Sequence, residues 1–224
     1  MRSIAIVLTL IVSAWLPKAS AIEFYPILQP NSTYVADTVL MSLASIPDES
    51  SVSVLEQNPQ TITFESAVTK FNVPAQWETW GSPPNTESST PNILYHTSIS
   101  QMQMTLSLPS RTFGFELQGA NPDVSSEFVV KFFDGATEIG SITRTVNGNA
   151  GALLFAGYSL TNTFNRITID NPSGDSAGWA LANIRYSTTA VPEPSTYALG
   201  VIATVVLGSI ARRKRIRAKV SPEA

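Results

Sequence analysis

The chain has 224 residues, 14 of them basic and 17 acidic, with a formal net charge of −3, a single histidine and no cysteine. Without cysteine there is no thiolate catalysis, no iron–sulfur cluster and no cysteine-based zinc site, and one histidine excludes a multi-histidine metal centre within one chain. Charge is unevenly placed: from Ile22 to Pro194 six basic residues face sixteen acidic ones, a net of −10, so nucleic acid and anionic lipid are not expected as partners of this stretch.

In chain order, the first element is residues 1–21. Arg2 opens a positive n-region, Ile4 to Leu16 form an apolar h-region, and Ala19-Ser20-Ala21 supplies the small residues that signal peptidase accepts. This reads as a signal helix, cleaved after Ala21 and too short to remain as a span. The body follows, residues 22–188, with 22–60 as its N-terminal extension. Within the extension, Val39 to Leu43 fits either an edge strand or a helical turn, and Asn31-Ser32-Thr33 has the form of a glycosylation sequon.

From Thr61 onward the sequence alternates with period two, the mark of half-buried antiparallel strands. Thr61 to Phe64 alternates; Met102, Met104, Leu106 and Leu108 share one face; Phe113, Phe115 and Leu117 oppose Glu116. Asp134-Gly135 separates Phe128–Phe133 from Ile139–Val146, a hairpin signal. Phe164 to Ile169 and Trp179 to Tyr186 give two late strands, and Pro, Gly, Asn and Ser clusters between runs mark turns. The pattern predicts an all-β, antiparallel, jelly-roll-like β-sandwich, with a closed barrel as the alternative. No internal repeat is present, and Ser187 to Ala190 read as a linker to the tail.

Three places in the body invite chemistry. Gly174-Asp175-Ser176-Ala177-Gly178 matches the Gly-x-Ser-x-Gly elbow, but an α/β-hydrolase needs a histidine after its serine and none follows Ser176. His96, Asp123 or Asp134, and Ser176 give the order of a serine protease, yet His96 sits in strand-like Tyr95-His96-Thr97. A polar loop is the reading adopted, and no catalytic residue is assigned. Trp77 and Trp80 flank Glu78 in a polar loop, with Tyr95 after it. They either cover the core or form a platform for a sugar face, with the carboxylate holding hydroxyls. Asp134, Asp170, Asp175 and Glu65 are oxygen donors for at most one structural calcium, without EF-hand spacing, so no metal ligand and no cofactor is assigned.

The tail begins at residue 189. Val191-Pro192-Glu193-Pro194 is extended and stiff, because proline fixes φ near −65° and lacks an N–H. Ser195 to Ile210 is uncharged and as a helix covers roughly 24 Å, a short single transmembrane span against a hydrocarbon core of about 30 Å. Arg212, Arg213, Lys214, Arg215 and Arg217 set the cytoplasmic side by the positive-inside rule, leaving residues 218–224 as a cytoplasmic end and the body outside.

Tripeptide, apolar helix and basic stop, in that order, resemble the sorting tail of the PEP-CTERM family of exported bacterial proteins, over Val191 to about Arg217. The resemblance implies an exosortase-like processing enzyme as partner, a membrane-anchored precursor, and a mature form at the cell surface or in an exopolysaccharide or biofilm matrix. A permanent single-pass anchor is the alternative. The body resembles sandwich modules of other such proteins in Trp77 to Pro84, Thr112 to Glu116, Ile139 to Arg144 and Trp179 to Tyr186. Where comparable modules carry an Asp in the final strand, this chain has Ala182-Asn183. The expected function is a non-enzymatic, sorted and cleaved exported protein associated with polysaccharide. A carbohydrate-binding module using Trp77, Glu78, Trp80 and Tyr95 is the alternative, and a serine hydrolase a remote third.

Overall fold

A computed structural model describes residues 23–97, 101–172 and 177–191. The signal segment, the Gly174-Asp175-Ser176 stretch, Pro192-Glu193-Pro194, the apolar run and the Arg/Lys cluster lie outside the described residues.

The described chain is all-β and antiparallel apart from one short helix. In order, it forms β1 (Tyr25–Ile27), α1 (Ser32–Asp37), β2 (Val39–Leu40), β3 (Ser51–Gln57), β4 (Gln60–Asn72), β5 (Asn92–His96) and β6 (Gln101–Ser110). There follow β7 (Thr112–Gly119), β8 (Ser125–Asp134), β9 (Thr137–Asn147), β10 (Leu153–Tyr158), β11 (Phe164–Asp170) and β12 (Trp179–Ser187). The strands pair in the order β1-β10-β7-β12-β5-β4-β6-β11-β8-β9, with β2 added to β12 and β3 to β4.

Alternation decides which residues point inward. In β8, Ser126, Phe128, Val130 and Phe132 are buried while Ser125, Glu127 and Asp134 are exposed. Met102, Met104 and Leu106 do the same for β6, and Phe113, Phe115 and Leu117 for β7. These faces meet in one core that also takes in Leu55, Ile62, Phe155, Ile167 and Leu181. The sheet therefore folds over so that its two halves face one another as sandwich layers. The hairpin read from Asp134-Gly135 is present as β8–β9, with Gly135 at φ 58°, a left-handed turn position.

The two ends of the strand order approach each other without a ladder, apart from a bridge between Asn147 and Gly151. Instead, the Arg144 guanidinium of β9 donates to Leu154 O of β10 at 2.7 Å. Phe24 fills the remaining seam. Its ring lies over Gly140 of β9 and Gly157 of β10, where a Cβ would collide with it, and 5.0 Å from the Phe132 ring. The roll is thus plugged rather than hydrogen-bonded shut, which separates it from a closed barrel.

Two segments carry contacts that the sequence did not foretell. Asn31 caps α1, accepting from Tyr34 N at 2.9 Å. Ser187 to Val191 is no free linker. Thr112 Oγ1 donates to Thr189 O at 3.1 Å and accepts from Val191 N at 3.0 Å, Ser187 and Thr189 share a hydroxyl contact, and Val191 is buried.

Candidate functional site

Strand β7 was expected to be buried on one face only, yet every residue of it is buried. Its polar face, with Thr112, Gly114, Glu116 and Gln118, lies beneath α1 and the segment between β4 and β5. The neighbouring outward residues are small: Ala156 on β10, Ala180 and Ala182 on β12, with Ala152 just before β10. Trp80 and Tyr34 pack onto this flat surface. Gly114 leaves room for the Tyr34 hydroxyl, which a Cβ there would strike.

Glu116 is the anchor of this layer. It is fully buried, and its two oxygens accept from Trp80 Nε1 at 2.9 Å and from Glu87 N at 2.6 Å. Burial pushes its carboxyl above the usual value, and these same hydrogen bonds hold it down. Arg185 of β12 then grips Glu87 with both arms of its guanidinium, at 2.7 and 2.8 Å, and donates to Val35 O and Thr38 O at the end of α1. One arginine thereby fastens helix and loop to the sheet. Burial also pushes the Tyr34 phenol well upward, and the nearby Glu87 carboxylate acts in the same direction.

These contacts separate the two tryptophans that the sequence grouped. Trp80 is 3% exposed and spends its N–H on Glu116, so it covers the sheet and offers no platform. Trp77 is only half-buried. It leans on Tyr95, ring centroids 5.5 Å apart and tilted by 54°, and Tyr95 stacks in turn on Phe71 at 5.7 Å. Tyr95 is further fixed by its hydroxyl, which donates to Ala177 O at 2.7 Å. Beside Trp77 opens a groove of about 260 Å³, with the exposed Glu78 at its rim and Thr79, Gln118, Pro122 and Gly148 among its walls. Gln118 braces it, its amide donating to Gly148 O at 2.7 Å and to Thr79 O at 3.1 Å.

The remaining candidates are scattered. His96 is buried with its ring 5.1 Å from that of Trp179, at the end of the roll where Trp179 pairs with Gly119. Asp123 lies in the exposed turn entering β8 at that end, but Asp134 is at the far end of β8, about 30 Å away at 3.3 Å per residue. A His96–Asp134 pair is therefore ruled out. Of the calcium donors, Asp170 is engaged by Lys131 at 3.7 Å and Gln101 at 2.6 Å, Glu65 is exposed on β4, and Asp175 lies outside the described residues. No group of three or more His, Asp or Glu side chains is placed to hold a metal among the described residues. Asn183, standing where an Asp was of interest, occupies a bulge of β12 with φ 47°.

Sequence reasoning missed Glu116, the Glu87–Arg185 pair and Gln118. One signal was present: a buried indole needs an acceptor, and Glu116 sits in a strand otherwise rich in Phe and Gly.

Residues 190–215 match the PEP-CTERM protein-sorting motif. Comparison with curated protein sequences gives no match. Among solved structures, the chain is similar in outline to the enzymatically active domain of tailspike protein 4 of bacteriophage CBA120, at 17% identity and TM-score 0.32, covering 58% of this chain and 19% of that one. It thus spans about a fifth of that domain. A variant of the family 29 carbohydrate-binding module CBM29-2 aligns at 11% identity and TM-score 0.35, over 70% of this chain and 95% of the module. The module TmCBM61, solved with β-1,4-galactotriose, aligns at 16% identity and TM-score 0.33, over 58% and 89%.

Proposed function

We propose that this chain is an exported protein sorted through its C-terminal tail, cut there by an exosortase-like enzyme, and kept at the cell surface or in an exopolysaccharide matrix. The observation that carries the reading is the sorting motif at residues 190–215. Its order of stiff tripeptide, short apolar run and basic stop supports a membrane-held precursor, and the signal segment at the other end supports export of what lies between. The net charge of −10 from Ile22 to Pro194 suits a soluble outer location. The role of the body in this reading is structural or adhesive, with His96 buried against Trp179 as part of the packing.

The test is intact mass and fractionation of the native protein from its own host. The expected mature form lacks Arg212 to Arg217 and is free of the inner membrane. A surface form that still ends at Ala224 overturns the cleavage and restores the permanent anchor.

A further inference from the structure

The wall of the groove beside Trp77 includes a side chain whose acceptor the fold does not satisfy. Gln118 is 1% exposed, and its amide N–H groups are taken by Thr79 and Gly148, which leaves Oε1 buried without a hydrogen-bond partner. An acceptor left in that condition is destabilising, and native structures keep few of them. Gln118 forms part of the groove wall, and its unpaired oxygen is covered, so a hydroxyl reaches it once the side chain or its cover shifts.

The surroundings define the ligand. Trp77 supplies one aromatic face, held in place by the Tyr95 and Phe71 rings behind it. Glu78 supplies a second acceptor at the rim. An apolar face flanked by acceptors matches a molecule with C–H groups on one side and hydroxyl donors around its edge. The acidity of the body and of Glu78 disfavours an anion. The rings of Phe71, Tyr95 and Trp77 do not form a cage around a charge, so the groove is not built to enclose a quaternary ammonium, and tetramethylammonium is the competing probe. At about 260 Å³ the groove is smaller than the roughly 300–1,000 Å³ of pockets that enclose a whole ligand, so it takes a short piece of a longer chain.

We propose that this groove binds a neutral polysaccharide, one sugar face stacking on Trp77 while hydroxyls donate to the exposed Glu78 and, once its cover shifts, to Gln118 Oε1. The inference goes beyond the sorting reading and does not depend on it.

The test uses the full chain in mild detergent against immobilised cello-, xylo-, manno- and galacto-oligosaccharides, with polygalacturonate and tetramethylammonium as anionic and cationic probes. Saturable binding to a neutral probe is expected, weakened about tenfold or more by Trp77→Ala, less by Trp77→Phe, and several-fold by Glu78→Gln. Glu78 is exposed, so that variant keeps the test valid if Trp77→Ala misfolds. Trp80→Phe, changed under the loop, is expected to leave affinity unaltered in the folded fraction. Silence towards all the neutral probes, binding indifferent to both Trp77 and Glu78, or a preference for polygalacturonate or tetramethylammonium would each overturn the proposal.

Discussion

Glu116 illustrates how one side chain settles the role of another. Both of its oxygens accept N–H groups, so Glu116→Gln sets an NH₂ against a donor and orphans either Trp80 Nε1 or Glu87 N. The expected cost is about 1–3 kcal/mol by denaturant unfolding. Its pH dependence has a definite sign. The folded carboxyl is raised above its ordinary value of 4.5, so the stability it contributes is full below that value and is lost as pH rises through the folded value. The penalty of Glu116→Gln should therefore shrink from acid towards neutral pH; a penalty that grows would show that the buried carboxyl is not raised. Arg185→Ala leaves Glu87 without its partner, with 15% of its side chain exposed, and strips two carbonyls of α1, for an expected loss of about 3–5 kcal/mol. The double variant Arg185→Ala, Glu87→Ala should cost less than the sum of the singles, a coupling that a double-mutant cycle reads directly.

At the level of elements, α1 and the clasp at Val191 are the informative cases. A six-residue helix does not persist on its own, so α1 depends on its Asn31 cap, on Tyr34 over Gly114 and on Arg185. Asn31→Ala is expected to cost about 0.5–2 kcal/mol in thermal or chemical unfolding. Thr112→Val removes both hydrogen bonds of the clasp, and the amide of Val191 should then exchange with solvent markedly faster while β7 keeps its protection. Strand β6 was legible because period-two alternation is a property of neighbours in sequence, and β8 and β9 because Asp134-Gly135 marks the turn between two apolar runs; β12, read as a strand from its apolar run, proved buried on both faces. β7 was legible as a strand but not as one covered on both sides, since its cover comes from residues about 30 to 80 positions earlier. The same limit applies to the tryptophans. Spacing placed Trp77 and Trp80 in one loop, whereas the choice of platform or cover was made by Glu116 and Tyr95, partners that only folding supplies. Gln118 carried no signal, because its importance is an unpaired acceptor, visible only once its other bonds are known.

For the whole molecule, the described fold is a rolled antiparallel sheet with a main core inside the roll and two smaller apolar clusters outside it, plugged at its seam by Phe24. Gly140→Ala or Gly157→Ala displaces that ring, and each is expected to lower stability by about 1–3 kcal/mol without changing the all-β circular dichroism. For processing, Glu193→Ala is expected to leave export intact and accumulate an uncut, membrane-bound precursor. Neutralising Arg212 to Arg217 should let the short apolar run slip outward, since the positive-inside barrier is gone. Fractionation followed by intact mass separates the two outcomes.

The clasp also fixes a direction in space. Val191 is held on Thr112 at the start of β7, and only Pro192 to Pro194 separate it from the uncharged run at Ser195, a leash of at most about 14 Å when fully drawn out. That is shorter than the width of a domain of this size, whose radius of gyration alone is about 15 Å. Under the proposed topology the anchor therefore holds the precursor by the Thr112 end of β7, and Gln118 with the Trp77 groove lies six residues, about 20 Å, along that strand from the point of attachment.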